Sequence, residues 1–161
     1  MKYRLAFFII ALSGAVIDLI SKSLVFKTLE NKQVSDIIPG VFGFKLVTNE
    51  GIIWGLFPGH NILFLAVSIL AVPLIIIIFL LQPKIDRWLT VSLGLIMAGT
   101  AGNLYDRLAH QAVRDFLDFY LINWPIFNLA DAFITIGAII LLFSLFLSKP
   151  EQKQSETKRS E

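Results

Sequence analysis

The sequence predicts an all-α membrane protein with four transmembrane helices. Hydrophobic residues make up 56% of its 161 positions and charged ones only 16%, with a mean hydropathy of +0.74. A soluble domain of this size has too little interior to hide so much apolar surface, whereas lipid can act as its solvent. The apolar residues also gather into four runs of about 20 residues, each long enough to cross a hydrocarbon core as a helix. No strand-period alternation marks these runs, which argues against a barrel and leaves helices to satisfy the backbone in lipid.

The first run covers residues 5–26, behind Lys2 and Arg4. Its start looks like a signal peptide ending at Ser13-Gly14-Ala15, but hydrophobicity continues through Val16, Ile17, Leu19 and Ile20, so a retained helix is the better reading. A long loop, about 27–60, follows; its Ile37 to Thr48 stretch combines a Pro-Gly turn with β-rich residues, and it is expected to pack on the membrane surface. The second run, 62–81, contains Pro73 and ends at the basic loop Gln82-Pro83-Lys84-Ile85-Asp86-Arg87. The third run covers 88–108 and the fourth 127–147. Residues 1–148 are therefore read as one membrane domain, and 149–161 as a polar, disordered tail. With an inside N-terminus, eight basic residues lie on the cytoplasmic side against five outside. Both termini are then cytoplasmic, and the loop between the third and fourth helices lies at the outer face. A net charge of +2 gives no reason to expect nucleic acid as a partner. The lack of cysteine excludes disulfides, thiolate metal sites and a Cys nucleophile.

Against this background the acids stand out, because an ionisable group in or beside a span is costly and marks a functional site by default. They occur in Gly102-Asn103-Leu104-Tyr105-Asp106-Arg107, Val113-Arg114-Asp115-Phe116 and Phe127-Asn128-Leu129-Ala130-Asp131. Asp131 also has a structural reading: Asn128 would cap the fourth helix, with the acid in its first turn where a negative charge suits the helix dipole. Asp115 could pair locally with Arg114, and Asp118 competes with it as the reactive acid of its loop. Two carboxylates sharing a low-dielectric site cannot both ionise cheaply, so one keeps a proton. The ionised partner can then take a proton from water while the neutral one polarises a carbonyl, which is aspartic peptide hydrolysis without metal or cofactor. Asp106 and Arg107 read as structural, since adjacent helical residues do not face each other and each must find partners elsewhere, including phospholipid headgroups. Asn103 can bridge helices by hydrogen bonds. Asp18 and Lys22, four residues apart, can pair on one face of the first helix.

Other chemistries fit less well. His60 and His110 lie far apart and lack a His-x-x-x-His pattern, and no Gly-rich phosphate loop is present. Ser21, Lys22 and Ser23 raise a Ser–Lys hydrolase, but neighbours on a helix point in different directions. A non-enzymatic membrane protein using buried acids as proton relays is the alternative from another class.

Taken in order, Asp18-x-x-x-Lys22, Asn49-Glu50-Gly51, Gly102-Asn103-x-x-Asp106-Arg107, Val113-x-Asp115-Phe116 and Phe127-Asn128-x-Ala130-Asp131 resemble the bacterial lipoprotein signal peptidases, or signal peptidase II. The likeness covers nearly the whole chain short of the tail. It implies a β-cradle from the first extracytoplasmic loop and an aspartyl dyad on Asp115 and Asp131, in preference to Asp118. It also implies substrate-binding or site-shaping roles for Asn49, Gly51, Asn103, Arg107 and Asn128. The implied reaction is cleavage of a diacylglyceryl-modified prolipoprotein just before its lipidated cysteine, at the outer face of the bacterial cytoplasmic membrane. No cofactor is implied; phospholipids are the expected surroundings and a monomer the expected state. Two departures lie near the site: Ile52-Ile53 where small residues are usual, and Arg114 where an apolar residue is common.

Overall fold

The computed structural model of the protein describes residues 1–29, 34–51 and 61–147. Each of the four apolar runs is a helix: α1 Lys2–Leu29, α2 Asn61–Leu81, α3 Arg87–His110 and α4 Leu129–Leu147. Helix α1 outruns its apolar stretch at both ends, taking in Lys2, Tyr3 and Arg4 and then Lys27 to Leu29. Helix α4 starts two residues later than the expected 127. Phe127 is held by an isolated bridge to Leu117, and Asn128 caps the helix. The expected tail, 149–161, lies outside the described residues, as do Ile52 and Ile53.

Helix α3 is the centre of the assembly and packs against α1, α2 and α4. Small residues permit the close approach. Gly14 of α1 faces Ala98, and a Cβ on Gly94 would crowd Ile10. Gly99 lies against the Ala130 carbonyl of α4, while Gly137 of α4 lies against the Ser92 carbonyl. Next to the Gly94 contact Phe7 and Phe79 stack 4.2 Å apart, in a core shared with Ala11, Leu93 and Met97. Among the described residues three helices, α1, α2 and α4, are long and apolar enough to cross a membrane. Helix α3 has the length, 24 residues, but buries polar groups at Thr90, Ser92, Asn103 and Asp106. Surrounded by its neighbours, it need not be apolar all round.

The β structure departs from expectation. A three-stranded antiparallel sheet has the order β1 (Val34–Ile38), β2 (Phe42–Asn49), β3 (Val113–Asp118). The first two strands form the hairpin of the long loop, turning at Gly40, whose φ of 80° suits glycine. The third strand comes from the α3–α4 loop, so the cradle is not built from the first loop alone. Val113-Arg114-Asp115-Phe116 fills the free edge of β2, with Val47 opposite Asp115 and Asn49 opposite Val113. An aromatic cluster fastens this strand and the loop after it: Phe44 meets Phe116, Phe42 meets Phe119, and Phe119 stacks on Phe127.

Because α3 and α4 touch through glycine, a larger residue at that contact must force them apart. Gly99→Val is expected to lower the stability of the detergent-solubilised protein by about 1–3 kcal/mol. Leu70→Ala, on an exposed face of α2, should leave the melting temperature close to wild type. Thermal melts of the two variants check this, and equal melting temperatures would refute the tight-contact account.

Candidate active site

Four elements converge on one cavity of about 490 Å³. Strand β3 contributes Asp115, β2 and its end contribute Asn49 and Gly51, α3 contributes Asn103 and Arg107, and α4 contributes Asp131. The rest of the lining is largely apolar, with Trp124, Ile126, Ile134 and Ile136 among others. Asp118 does not line it, because its position three residues along the strand turns it to the other face. Geometry thus separates two acids that residue chemistry left equivalent.

The start of α4 does two jobs with the same atoms. Asn128 Oδ1 accepts from the Asp131 backbone N–H at 3.0 Å, and Asp131 Oδ2 accepts from the Asn128 N–H at 3.2 Å. This reciprocal cap satisfies the helix end and fixes the Asp131 carboxylate. Asn128 Nδ2 then donates to Asp115 Oδ1 at 2.6 Å, so one residue holds both acids, Asp131 through its backbone N–H and Asp115 through its side-chain amide. Asn128 is fully buried and absent from the cavity wall, so it reaches the site through the two aspartates. Asn49 Nδ2 donates to the other Asp115 oxygen at 2.9 Å, and Asn49 Oδ1 accepts from the Gly51 N–H at 2.9 Å. Asn103 Nδ2 donates to Asp131 Oδ1 at 2.8 Å.

Burial and the neighbouring Asp131 charge push the Asp115 carboxyl up to about 7, although hydrogen bonds from Asn49 and Asn128 oppose the shift. An acid in this state holds its proton close to neutrality. Arg107 lines the same cavity, its guanidinium 5.9 Å from the Phe64 ring of α2.

Behind the site lies a buried ion cluster. Lys22 Nζ is 2.7 Å from Asp18 and 3.5 Å from Asp106, and all three side chains are fully buried. Lys22 also donates to Asn103 Oδ1 at 2.9 Å, and Asp18 accepts the Ala130 N–H at 2.9 Å. Glycine is required at 102, where a Cβ would collide with the Asp18 carboxylate. Arg114 does not pair with Asp115, as its sequence position had allowed. It binds Asp106 instead, Nη2 to Oδ1 at 2.7 Å. Two acids and two bases thus balance. The Ser–Lys reading loses its base, since two carboxylates engage the Lys22 amine and the Ser21 hydroxyl donates to the Asp18 carbonyl.

Comparison with known proteins bears on this constellation. The model of the family described as signal peptidase (SPase) II matches residues 10–147. The chain belongs to the signal peptidase II family. Its curated relatives include a lipoprotein signal peptidase of Nostoc sp. (strain PCC 7120), 42% identical over 92% of this chain and 93% of that protein. Another, from Listeria monocytogenes serotype 4a, is 31% identical over 91% and 97%. A solved bacterial membrane enzyme superposes with a TM-score of 0.83 at 27% identity, covering 94% of each chain. Membership makes the protein a protease, and its apolar helices fit the bacterial membrane.

The residue motifs did not disclose the apolar wall. A signal existed on α4, where Asp131, Ile134 and Thr135 follow i, i+3, i+4 spacing and share one face. For the ion cluster, removing one partner leaves a buried charge uncompensated. Lys22→Met is expected to cost about 3–5 kcal/mol of stability. Lys22→Met combined with Asp18→Asn should cost less than the sum of the two single changes, as a double-mutant cycle in denaturant would measure. Strict additivity would show that the pair does not interact.

Proposed function

We propose that the protein is an aspartyl endopeptidase that removes signal peptides from diacylglyceryl-modified prolipoproteins, cutting before the lipidated cysteine. The observation that carries this reading is the pair Asp115 and Asp131, facing one cavity and both held by Asn128, Asp115 by its side-chain amide and Asp131 by its backbone N–H. Asp115 carries the proton, since its carboxyl is pushed up to about 7, and Asp131 acts as the base. Asp131 takes a proton from water as the hydroxide oxygen bonds to the scissile carbonyl carbon, and Asp115 gives its proton to the carbonyl oxygen. Collapse of the resulting gem-diol returns a proton to Asp115. Asp131 delivers its proton to the departing amide nitrogen, and the C–N bond breaks. No metal or covalent intermediate is needed.

The names of the relatives, lipoprotein signal peptidases, support a prolipoprotein as substrate. The mixed character of the cavity suits a peptide whose next residue carries lipid. Asn49, Gly51, Asn103 and Arg107 offer polar contacts to the backbone, and Trp124, Ile126, Ile134 and Ile136 an apolar wall. Binding energy from the lipid would position the peptide bond. In this reading α3 is the fourth span and both termini are cytoplasmic. The site opens at the outer face, and the chain acts as a monomer with residues 1–148 as its working domain. Asn128 serves the substrate indirectly, by setting the carboxylates.

Asp115→Asn and Asp131→Asn should each reduce cleavage of a diacylglyceryl-modified prolipoprotein by at least about 10²–10⁴-fold while substrate binding persists. Purified Asp115→Asn that still cleaved at the wild-type rate would falsify the dyad. An unmodified prolipoprotein should be cut far more slowly, and equal rates would remove the lipid from the account. Because Asp115 must be protonated, the wild-type rate should fall as pH rises through about 7, and a rate that climbs steadily through that range would contradict the proton assignment.

A further inference from the structure

Arg114 stands next to Asp115 but does not touch it. Successive strand residues point to opposite faces, and the Arg114 side chain is turned to Asp106 at the end of α3. Its Nη2 lies 2.7 Å from Asp106 Oδ1, and its Nε lies 3.3 Å from both carboxylate oxygens. Its backbone N–H also donates to Asp106 Oδ2 at 3.0 Å, so one buried carboxylate grips both the main chain and the side chain of β3. Nη1 reaches Ser23 Oγ of α1 at 3.4 Å. Among the described residues the other cation within ion-pair reach of Asp106 is Lys22, at 3.5 Å. Lys22 lies closer to Asp18, at 2.7 Å, and to Asn103 Oδ1, at 2.9 Å. Asn103, its carbonyl held by that ammonium, points its Nδ2 at Asp131.

We propose that Arg114 is a positioning residue for the Asp115/Asp131 pair. It anchors the strand that presents Asp115, and by neutralising Asp106 it leaves Lys22 free to hold Asn103 against Asp131. The proposal rests on the peptidase reading above. Without the guanidinium, Asp106 has Lys22 alone to compensate it. The ammonium is drawn toward Asp106, Asn103 keeps only the longer 3.2 Å contact from Asn128 Nδ2 to its Oδ1, and its donor to Asp131 is less firmly placed. The charged groups around the pair are Asp18 and Lys22 from α1, Asp106 and Arg107 from α3, and Arg114 itself from β3. Strand β2 presents the neutral Asn49 to the pair, its Lys45 and the following Glu50 not lining the cavity, and α2 carries no charged side chain. Removing one cation from this set favours the protonated form of the Asp115 carboxyl. The basic limb of the activity profile, where Asp115 gives up its proton, then moves to higher pH.

The experiment measures kcat, KM and the pH profile of kcat on a diacylglyceryl-modified prolipoprotein, for wild type, Arg114→Met and Arg114→Lys, each normalised to folded protein. Arg114→Met should lose about 10- to 100-fold in kcat with KM nearly unchanged, and its basic limb should rise by about half a pH unit. Arg114→Lys keeps the charge but loses the planar fork. It should restore the wild-type limb while recovering only part of kcat. The proposal is overturned if folded Arg114→Met retains wild-type kcat and limb, or if its loss merely tracks the folded fraction with the limb unmoved. If Arg114→Met does not fold, Arg114→Lys decides alone: a lowered kcat on a wild-type limb supports the proposal, and wild-type kcat overturns it. A wild-type enzyme that does not cleave the substrate would instead count against the peptidase reading.

Discussion

Two carboxyl groups facing one partly desolvated cavity set the conditions that the rest of the molecule meets. Like charges so placed repel, and burial penalises the charge on Asp115, so a proton is retained there. What remains is to hold both groups in a fixed relation without giving either a cation so close that the proton is lost. The structure does this with amides. Asn128 and Asn49 donate to Asp115, while Asn103 and the Asn128 N–H donate to Asp131. Amide donors orient a carboxylate at a smaller electrostatic cost to its proton than an arginine or lysine would impose.

Arg107 lines the cavity itself, while the other two cations, Lys22 and Arg114, stand one layer back. Lys22 meets the site through Asn103, and Arg114 through Asp106. Such a cluster contributes little net stability by itself, because desolvating the ions offsets most of their attraction. Its worth lies in geometry. Asp18 also accepts the Ala130 N–H in the first turn of α4, so the ions tie α1 to α4 as well as to α3 and β3. The glycines of the bundle serve the same end, since Gly99 and Gly102 let α3 approach α4 and Asp18 closely.

Much of this was legible in the sequence, for identifiable reasons. Hydrophobic run length located all four helices, and spacing anticipated the Asp18–Lys22 pair. The capping role of Asn128 and the functional candidacy of Asp131 had looked like rival readings, and the structure holds the cap and the contact with Asp115 in the same side chain. Physical reasoning alone did not separate Asp115 from Asp118, because both sit in similar aromatic surroundings. Strand parity separates them, and β3 was not foreseen. Val113-Arg114-Asp115-Phe116 is too short and too mixed to announce a strand, and pairs only because β2 offers it an edge. The Arg114–Asp106 contact was likewise hidden. Local proximity favoured Asp115 as partner, while the strand's alternation directs the guanidinium away from it. The apolar wall escaped because its residues are ordinary members of an apolar helix and loop.

The central claim is that Asp115 keeps a proton near neutrality because it is buried beside Asp131. Its most direct test is the pH titration of the Asp115 side-chain carboxyl carbon by NMR, in wild type and in Asp131→Asn. The account predicts a midpoint of about 7 in wild type. In Asp131→Asn the midpoint should be lower, yet still above the ordinary carboxylate range, because burial persists when the neighbouring charge is gone. A midpoint in the ordinary range in wild type, or one that Asp131→Asn leaves unmoved, would contradict it.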